Sequence, residues 1–491
     1  MTTSRTTSRT TRRPLVIAAV MAAMAMVAIE ATIISTAMPG IVGELGGLSL
    51  YAWVFSGFLL TQTAATIVFG KLADIHGRKP VLLAGIAVFL AASTLCGFAW
   101  SMPAMIAFRL IQGIGAGAIQ PVSLTIVGDL YTAEQRGRIQ GFLASVWAIS
   151  AVVGPVAGGF IIAHASWSWI FWINLPVGLV ATALFVAFLH EGERRERRPV
   201  DAKGAALFTL TVAALMVGLT EAGEGRWPVV AGAVALGLVA AVLLALHERR
   251  APEPVIDASL WRRRPIAAAN ATSLLAGMAL IGLTTFLPMY VQGVLGQTPI
   301  VAGMALTVMV LGWPMGATLA ARNLHRFGLR RILVAGGLLL PLGAIAFVTL
   351  GPGSSPVQAG AGSLVMGFGM GLLSNAALML IQEIVPWTQR GSATASNIFS
   401  RNLGSTLGAT VFGAVLNHGL SAAGSTVTAD GLQRALAAGG LPGEAETVRV
   451  VLQHALHQTF WAVLLISAVA FAAALMVPHV ALGRAREVPA E

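Results

Sequence analysis

The run Gly70-Lys71-Leu72-Ala73-Asp74-Ile75-His76-Gly77-Arg78-Lys79-Pro80 sets one carboxylate, three cationic side chains and two glycines between two stretches, 51–70 and 81–100, that carry no charge. A helix rises about 1.5 Å per residue, so roughly 20 apolar residues cross the hydrocarbon core of a bilayer. The run therefore reads as a charged turn joining two membrane helices. Gly70 and Gly77 permit close helix approach and a tight turn, and Asp74 and Arg78 can make charge-assisted hydrogen bonds across a helix interface. Asp129, expected at the same end of a later span, is the natural partner for Arg78. Lys71 and Lys79 read more simply, as charges that hold the turn on one side of the membrane.

The same alternation continues along the chain. Of 491 residues 56% are hydrophobic and only 10% charged, with a mean hydropathy of +0.80, which excludes a soluble globular protein. Fourteen segments are long and apolar enough to span, near 15–37, 51–70, 81–100, 103–126, 139–162, 168–190, 204–221, 228–247, 266–290, 300–320, 332–350, 358–382, 393–416 and 458–481. The fold class is an all-α polytopic membrane protein. Leu15 to Ala37 is too long for a signal peptide's apolar core and contains Glu30, so it reads as the first span. The single cysteine, Cys96, sits inside an apolar run and can build neither a disulfide framework nor a thiolate metal site.

With the N-terminus inside, the inner segments hold 26 of the 31 Lys/Arg residues; Arg226, Arg434 and Arg449 lie outside, and Arg109 and Arg401 lie within spans. That asymmetry predicts a multi-pass inner (plasma) membrane protein with both termini cytoplasmic. It also removes the nucleic-acid partner that a net charge of +11 suggests, because the basic residues are scattered loop anchors rather than one stripe. Trp100, Trp167, Trp169, Trp227 and Trp261 fall at span ends, where the amphipathic ring favours the membrane interface. Glu221 and Glu224 are expected in solvent at the outer end of the seventh span.

An internal repeat organises the chain. Gly113, Gly115, Gly117, Asp129, Arg136, Gly137, Gly154 and Gly159 recur 254 residues later as Gly367, Gly369, Gly371, Glu383, Arg390, Gly391, Gly408 and Gly413. The opening turn has a weaker echo at Arg322 to Arg331, where Lys71 and Gly77 correspond to Arg322 and Gly328 but Asp74 is replaced by His325. Two six-helix bundles are expected, residues 1–190 and 266–491, with two inserted spans and their charged linkers over 191–265. A long outer segment, 417–457, is expected to contain short amphipathic pieces around Leu432, Leu436 and Val448 to Leu452.

Polar groups at span depth mark candidate sites. Glu30, in Glu30-Ala31-Thr32-Ile33-Ile34-Ser35-Thr36-Ala37-Met38-Pro39, is the one carboxylate well inside a predicted span. Such an acid costs about 3 kcal/mol on insertion scales, so its retention implies a function. A low dielectric favours the neutral acid and a nearby cation the carboxylate, so the site can exchange a proton for a cationic substrate. Arg109, in Arg109-Leu110-Ile111-Gln112-Gly113-Ile114-Gly115-Ala116-Gly117, lies about 9 Å into its span and must find acceptors in protein or water. Its repeat partner is Ser363, so the arginine is confined to the first half. Ser150-Ala151-Val152-Val153-Gly154-Pro155-Val156-Ala157-Gly158-Gly159 combines a helix-bending proline with glycines that admit a close neighbour. Trp53, Gln62, Trp147, Asn375 and Arg401 are candidates for lining a wide cavity. His454 and His457 lack a third metal ligand, no Walker sequence or nucleophile motif is present, and neither a cofactor nor an enzyme activity is implied.

These four stretches together resemble the major facilitator superfamily, and specifically its fourteen-span drug:proton antiporters. The first matches the family's G-x-L-x-D-(R/K)-x-G-R-(R/K) loop except at Ile75, and the Arg109 stretch matches R-x-x-Q-G-x-G-x-(G/A) throughout. The span-five stretch departs from G-x-x-x-G-P-x-x-G-G at Ser150, and Glu30 stands where the span-one motif has Asp. The resemblance implies a monomeric exporter of small amphiphilic or cationic compounds, driven by protons across the lipid bilayer. It assigns coupling to Glu30, Arg109 and Gln112, an inner gate to Asp74, Arg78, Asp129, Gly70 and Gly77, and a hinge to Gly154, Pro155, Gly158 and Gly159. Export of one metabolite, siderophore, amino acid or lipid shares every motif, and a non-transporting sensor or scaffold on the same fold is the alternative from another class.

Overall fold

In the computed structural model, residues 11–46, 50–191, 201–223, 226–251, 258–422 and 445–479 are described. They form helices and connecting turns, with no strand among the described residues. The helices are α1 (Arg13–Leu45), α2 (Tyr51–His76), α3 (Arg78–Gly97), α4 (Met102–Leu130), α5 (Ala133–His164), α6 (Trp169–Trp172), α7 (Asn174–Phe188), α8 (Ala202–Gly223), α9 (Trp227–Glu248), α10 (Ala258–Arg262), α11 (Arg264–Gly293), α12 (Pro299–Arg322), α13 (Leu324–Val348), α14 (Pro356–Ile384), α15 (Arg390–Ala422) and α16 (Ala445–Leu475). Twelve helices among the described residues are long and apolar enough to cross a membrane, with α6 and α7 together supplying one. The fourteen-segment expectation also included α5 and α15. Both are long, 32 and 33 residues, but they are the least apolar of the long helices.

Helices α1 to α7 pack on one another, as do α11 to α16, while α8 and α9 pair and α8 lies against α2 and α15. Helices α4 and α14 are the most enclosed of the candidate spans, and α9 is the most exposed. The repeat is visible in the backbone. Adding 254 to the bounds of α4 gives those of α14. Ser101 caps α4 by accepting from Ala104 N–H, and Ser355 caps α14 by accepting from Val357 N–H. Even the weaker echo is structural: Gly77 (φ 97°, ψ 159°) and Gly328 (φ 73°, ψ 161°) adopt the same conformation, one that side chains disfavour.

Several expectations are corrected. Gly70 to Pro80 is not a loop, because α2 continues through Asp74 to His76 and breaks only at Gly77, where α3 begins at the next residue. Val448 to Leu452 belongs to α16, so the final helix starts well inside the expected outer segment, whose residues 423–444 lie outside the described residues. Trp100, Trp169 and Trp227 are exposed, but Trp167 is buried and donates to the Glu44 carboxylate at 2.6 Å. Glu221 is also buried, and Arg226 pairs with it at 2.6 Å; Glu224 lies outside the described residues.

Gly77 and Gly328 give a graded prediction. Gly328→Ala strains only the backbone, at about 1–3 kcal/mol. Gly77→Ala adds a clash, since a Cβ there lies 2.5 Å from the Glu191 carboxylate. Thermal unfolding of the purified protein should rank wild type above Gly328→Ala and Gly328→Ala above Gly77→Ala; equal midpoints for all three would remove the strain argument.

Candidate functional site

Two polar assemblies stand out. The first lies where the ends of α2, α4 and α14 meet the beginnings of α5 and α15. Asp74, in the last turn of α2, accepts from Gly391 N–H at 2.9 Å, Ser392 N–H at 2.8 Å and the Ser392 hydroxyl at 2.9 Å. It thereby places a carboxylate on the first free N–H groups of α15, where the helix dipole also favours negative charge. This contact requires Gly70, because a Cβ there would lie 2.3 Å from the Ala395 Cβ.

Arg78 is buried beside it. Its Nε donates to Asp129 at 3.0 Å and its Nη2 to the Trp387 carbonyl at 2.8 Å, with the guanidinium 3.9 Å from the Trp387 ring centroid. Asp129 also receives Arg390 from the other packing group at 3.2 Å, and Arg136 donates to Glu383 at 2.7 Å. These last two pairs are related by the 254-residue repeat: Asp129 corresponds to Glu383 and Arg136 to Arg390. They cross the interface in opposite directions, so an acid of each group meets an arginine of the other. Arg136, Glu383 and Arg390 were already present as repeat matches, but only the antiparallel approach of the two groups turns them into partners. Glu191 is a further participant that the sequence pattern did not reveal, accepting from Arg78 N–H at 2.6 Å and Lys79 N–H at 2.9 Å. The Lys79 ammonium donates to the Leu189 carbonyl at the end of α7, at 2.6 Å.

The second assembly is internal to the first packing group. Glu30 is fully buried; one oxygen accepts from Arg109 and the other from the Asn174 amide at 2.6 Å. Arg109 also donates to Gln112 Oε1 at 2.7 Å and the Val54 carbonyl at 3.2 Å, and lies 4.2 Å from the Phe58 ring centroid. Ser93 fixes both amides, because its hydroxyl donates to the Phe171 carbonyl at 2.8 Å and its oxygen accepts from Gln112 at 3.2 Å and Asn174 at 3.0 Å. Every group on Glu30 is thus a donor, an arrangement matched to a carboxylate. Asn174 and Ser93 were missed because a lone amide or hydroxyl in an apolar run carries no distinguishing pattern.

The remaining predicted residues are dispersed. A Cβ on Gly154 would lie 2.0 Å from the Thr32 hydroxyl, so α5 approaches α1 closely there, while Gly158 is buried and Gly159 faces open space. Pro155 lies within α5, with its side chain outside the described residues. Trp53 is half-buried, Gln62 is buried and Trp147 is 36% exposed. Asn375 is buried and donates to the Ala317 carbonyl at 2.9 Å, tying α14 to α12. Arg401 is half-buried on α15.

Residues 20–409 match the family described as the Major Facilitator Superfamily. The chain belongs to the major facilitator superfamily. It is 34% identical over 409 residues to the multidrug transporter protein MdtP of Bacillus subtilis, covering 82% of this chain and 75% of that one. A second relative from the same organism, multidrug resistance protein 3, is 33% identical over 397 residues, covering 79% and 77%. The fold resembles the crystal structure of the human organic anion transporter MFSD10, with a TM-score of 0.67 at 16% identity over 94% of this chain and 99% of that one. As a major facilitator protein the chain is a multi-pass membrane transporter for small substrates, and not an enzyme.

The Asp74 contact predicts how firmly the two groups hold together at this end. Asp74→Asn replaces charged acceptor bonds, worth about 1.5–3 kcal/mol, with at most two neutral ones on the amide oxygen. Spin labels at His76→Cys and Phe327→Cys, with the buried native Cys96 left unlabelled, should show a separated population rising at least about tenfold. An unchanged distance distribution would show that the contact does not depend on the charge.

Proposed function

We propose that this major facilitator protein exports amphiphilic, often cationic compounds across the inner membrane in exchange for protons, by alternating access. The observation that carries the reading is Glu30, a carboxylate enclosed at membrane depth with Arg109 on one oxygen and Asn174 on the other. A proton neutralises Glu30 and leaves Arg109 without its counter-ion, which disfavours the present packing. A cationic cargo competes for the same carboxylate. Proton and cargo therefore exclude one another at Glu30, and Gln112 holds Arg109 in place between turnovers. One proton crossing about 100 mV releases about 2.3 kcal/mol, enough for more than one decade of cargo gradient at about 1.4 kcal/mol per decade.

In this reading residues 1–190 and 266–491 are two six-helix bundles and 191–265 supply two inserted helices, with α5 and α15 completing fourteen crossings. Asp74, Arg78, Asp129, Gly70 and Gly77 form an inner gate, closed here and joined by Arg136, Glu383 and Arg390. Gly154 to Gly159 let α5 pivot on α1. The Lys/Arg excess at the gate end supports cytoplasmic termini, and the names of the two bacterial relatives support a broad, drug-like cargo. A monomer suffices, since both bundles are in one chain.

Glu30→Gln keeps the shape of the side chain and removes its charge. In vesicles energised by a pH gradient it should retain dye binding but lose pH-driven dye efflux by at least about a hundredfold. Efflux at the wild-type rate would end the proposed role of Glu30.

A further inference from the structure

Arg401 differs from the other enclosed arginines. Arg78, Arg109 and Arg136 each meet a carboxylate and at least one carbonyl oxygen. The Arg401 side chain is half-buried at span depth, yet no carboxylate, carbonyl or ring pairs with it among the described residues. Counted from Arg390 it lies about 16 Å along α15, near mid-membrane.

Among the described residues, the polar groups on the adjacent turn are already engaged. One turn earlier, Asn397 is occupied with Asn270 at 3.2 Å and Ser273 at 2.8 Å. Three residues later, Gly404 packs its backbone against Leu274 of α11, leaving no room for another side chain. Glu30 has both oxygens taken by Arg109 and Asn174. Glu30 and Arg109 cancel, which leaves Arg401 without a compensating carboxylate among the described residues. A guanidinium at this depth requires an acceptor, and its planar donors match carboxylate, sulfonate and phosphate oxygens.

We propose that Arg401 is a binding site for the anionic group of an amphiphilic cargo, so that the transporter accepts anionic and zwitterionic amphiphiles as well as cations. The inference rests on reading the space between the bundles as the cargo path. It assigns a second polar anchor to that path, on the opposite bundle from Glu30. A zwitterion can engage both anchors, whereas a simple cation must reach Glu30 against the Arg401 charge.

The test uses the full chain in lipid nanodiscs and two probes with the same ring system, dansyl-taurine (a sulfonate) and its trimethylammonium counterpart. Arg401→Gln should weaken sulfonate binding at least about tenfold and strengthen ammonium binding, whereas Arg401→Lys should keep sulfonate affinity within about threefold. Size-exclusion elution and unfolding midpoint report whether the variants fold. Unchanged sulfonate affinity in folded Arg401→Gln would overturn the inference, as would equal loss of both probes or failure of wild type to bind the sulfonate. Flux of the ammonium probe from energised vesicles tests the efflux reading separately: sulfonate binding through Arg401 without that flux would retain this site and sink proton-driven cation export.

Discussion

Hydrocarbon offers no hydrogen-bond partners, so a polar group at membrane depth must be satisfied by protein, by enclosed water or by cargo. The Glu30 assembly meets that requirement entirely with protein. Its members come from α1, α3, α4 and α7, and Arg109 reaches Val54 and Phe58 on α2. One charge pair therefore fixes five helices of the first packing group. Removing either partner leaves a buried charge uncompensated, at about 3–5 kcal/mol, so the group behaves as one body while the pair is intact.

The interface between the two groups is built differently. Its polar contacts lie at helix ends: Asp74 on the first turn of α15, and the reciprocal pairs Asp129–Arg390 and Glu383–Arg136. Glu383 and Arg390 are partly exposed, and such pairs are individually weak and sensitive to solvent. Closure is the sum of many modest contacts, which can be broken together without disturbing the interior of either group. This division between a strongly held interior and a breakable rim is what rigid-body alternation requires.

Much of this was legible in the sequence because it is periodic or because it violates a strong expectation. Apolar runs gave the helices, the 254-residue repeat gave the correspondence of α4 with α14, and Glu30 and Arg109 stood out as charges where charges are expensive. The pairing of Arg78 with Asp129 followed from their placement at the same membrane face. Asn174 and Ser93 remained hidden because neutral polar residues are common in membrane helices, and only three-dimensional proximity distinguishes them. The extension of α2 through Asp74 was also hidden. Charged residues next to a glycine suggest a loop, but the acid is held by the N–H groups of another helix, a partner 317 residues away along the chain.

The repeat also defines what is not repeated. Arg109 has Ser363 as its counterpart, a buried residue whose hydroxyl simply donates to the Ala359 carbonyl one turn earlier in α14. Nearer the rim ends of α11 and α15, the second group carries a neutral cluster of Asn270, Ser273, Ser396 and Asn397. Backbone symmetry is thus preserved where rocking needs it, in glycine contacts, helix caps and reciprocal rim pairs. Side-chain symmetry is broken in the interior. The first group carries a charge network and the second a neutral cluster, a difference that the backbone repeat alone does not reveal. Arg401, unpaired among the described residues, is not committed to holding helices together, which is the condition the proposed cargo contact needs.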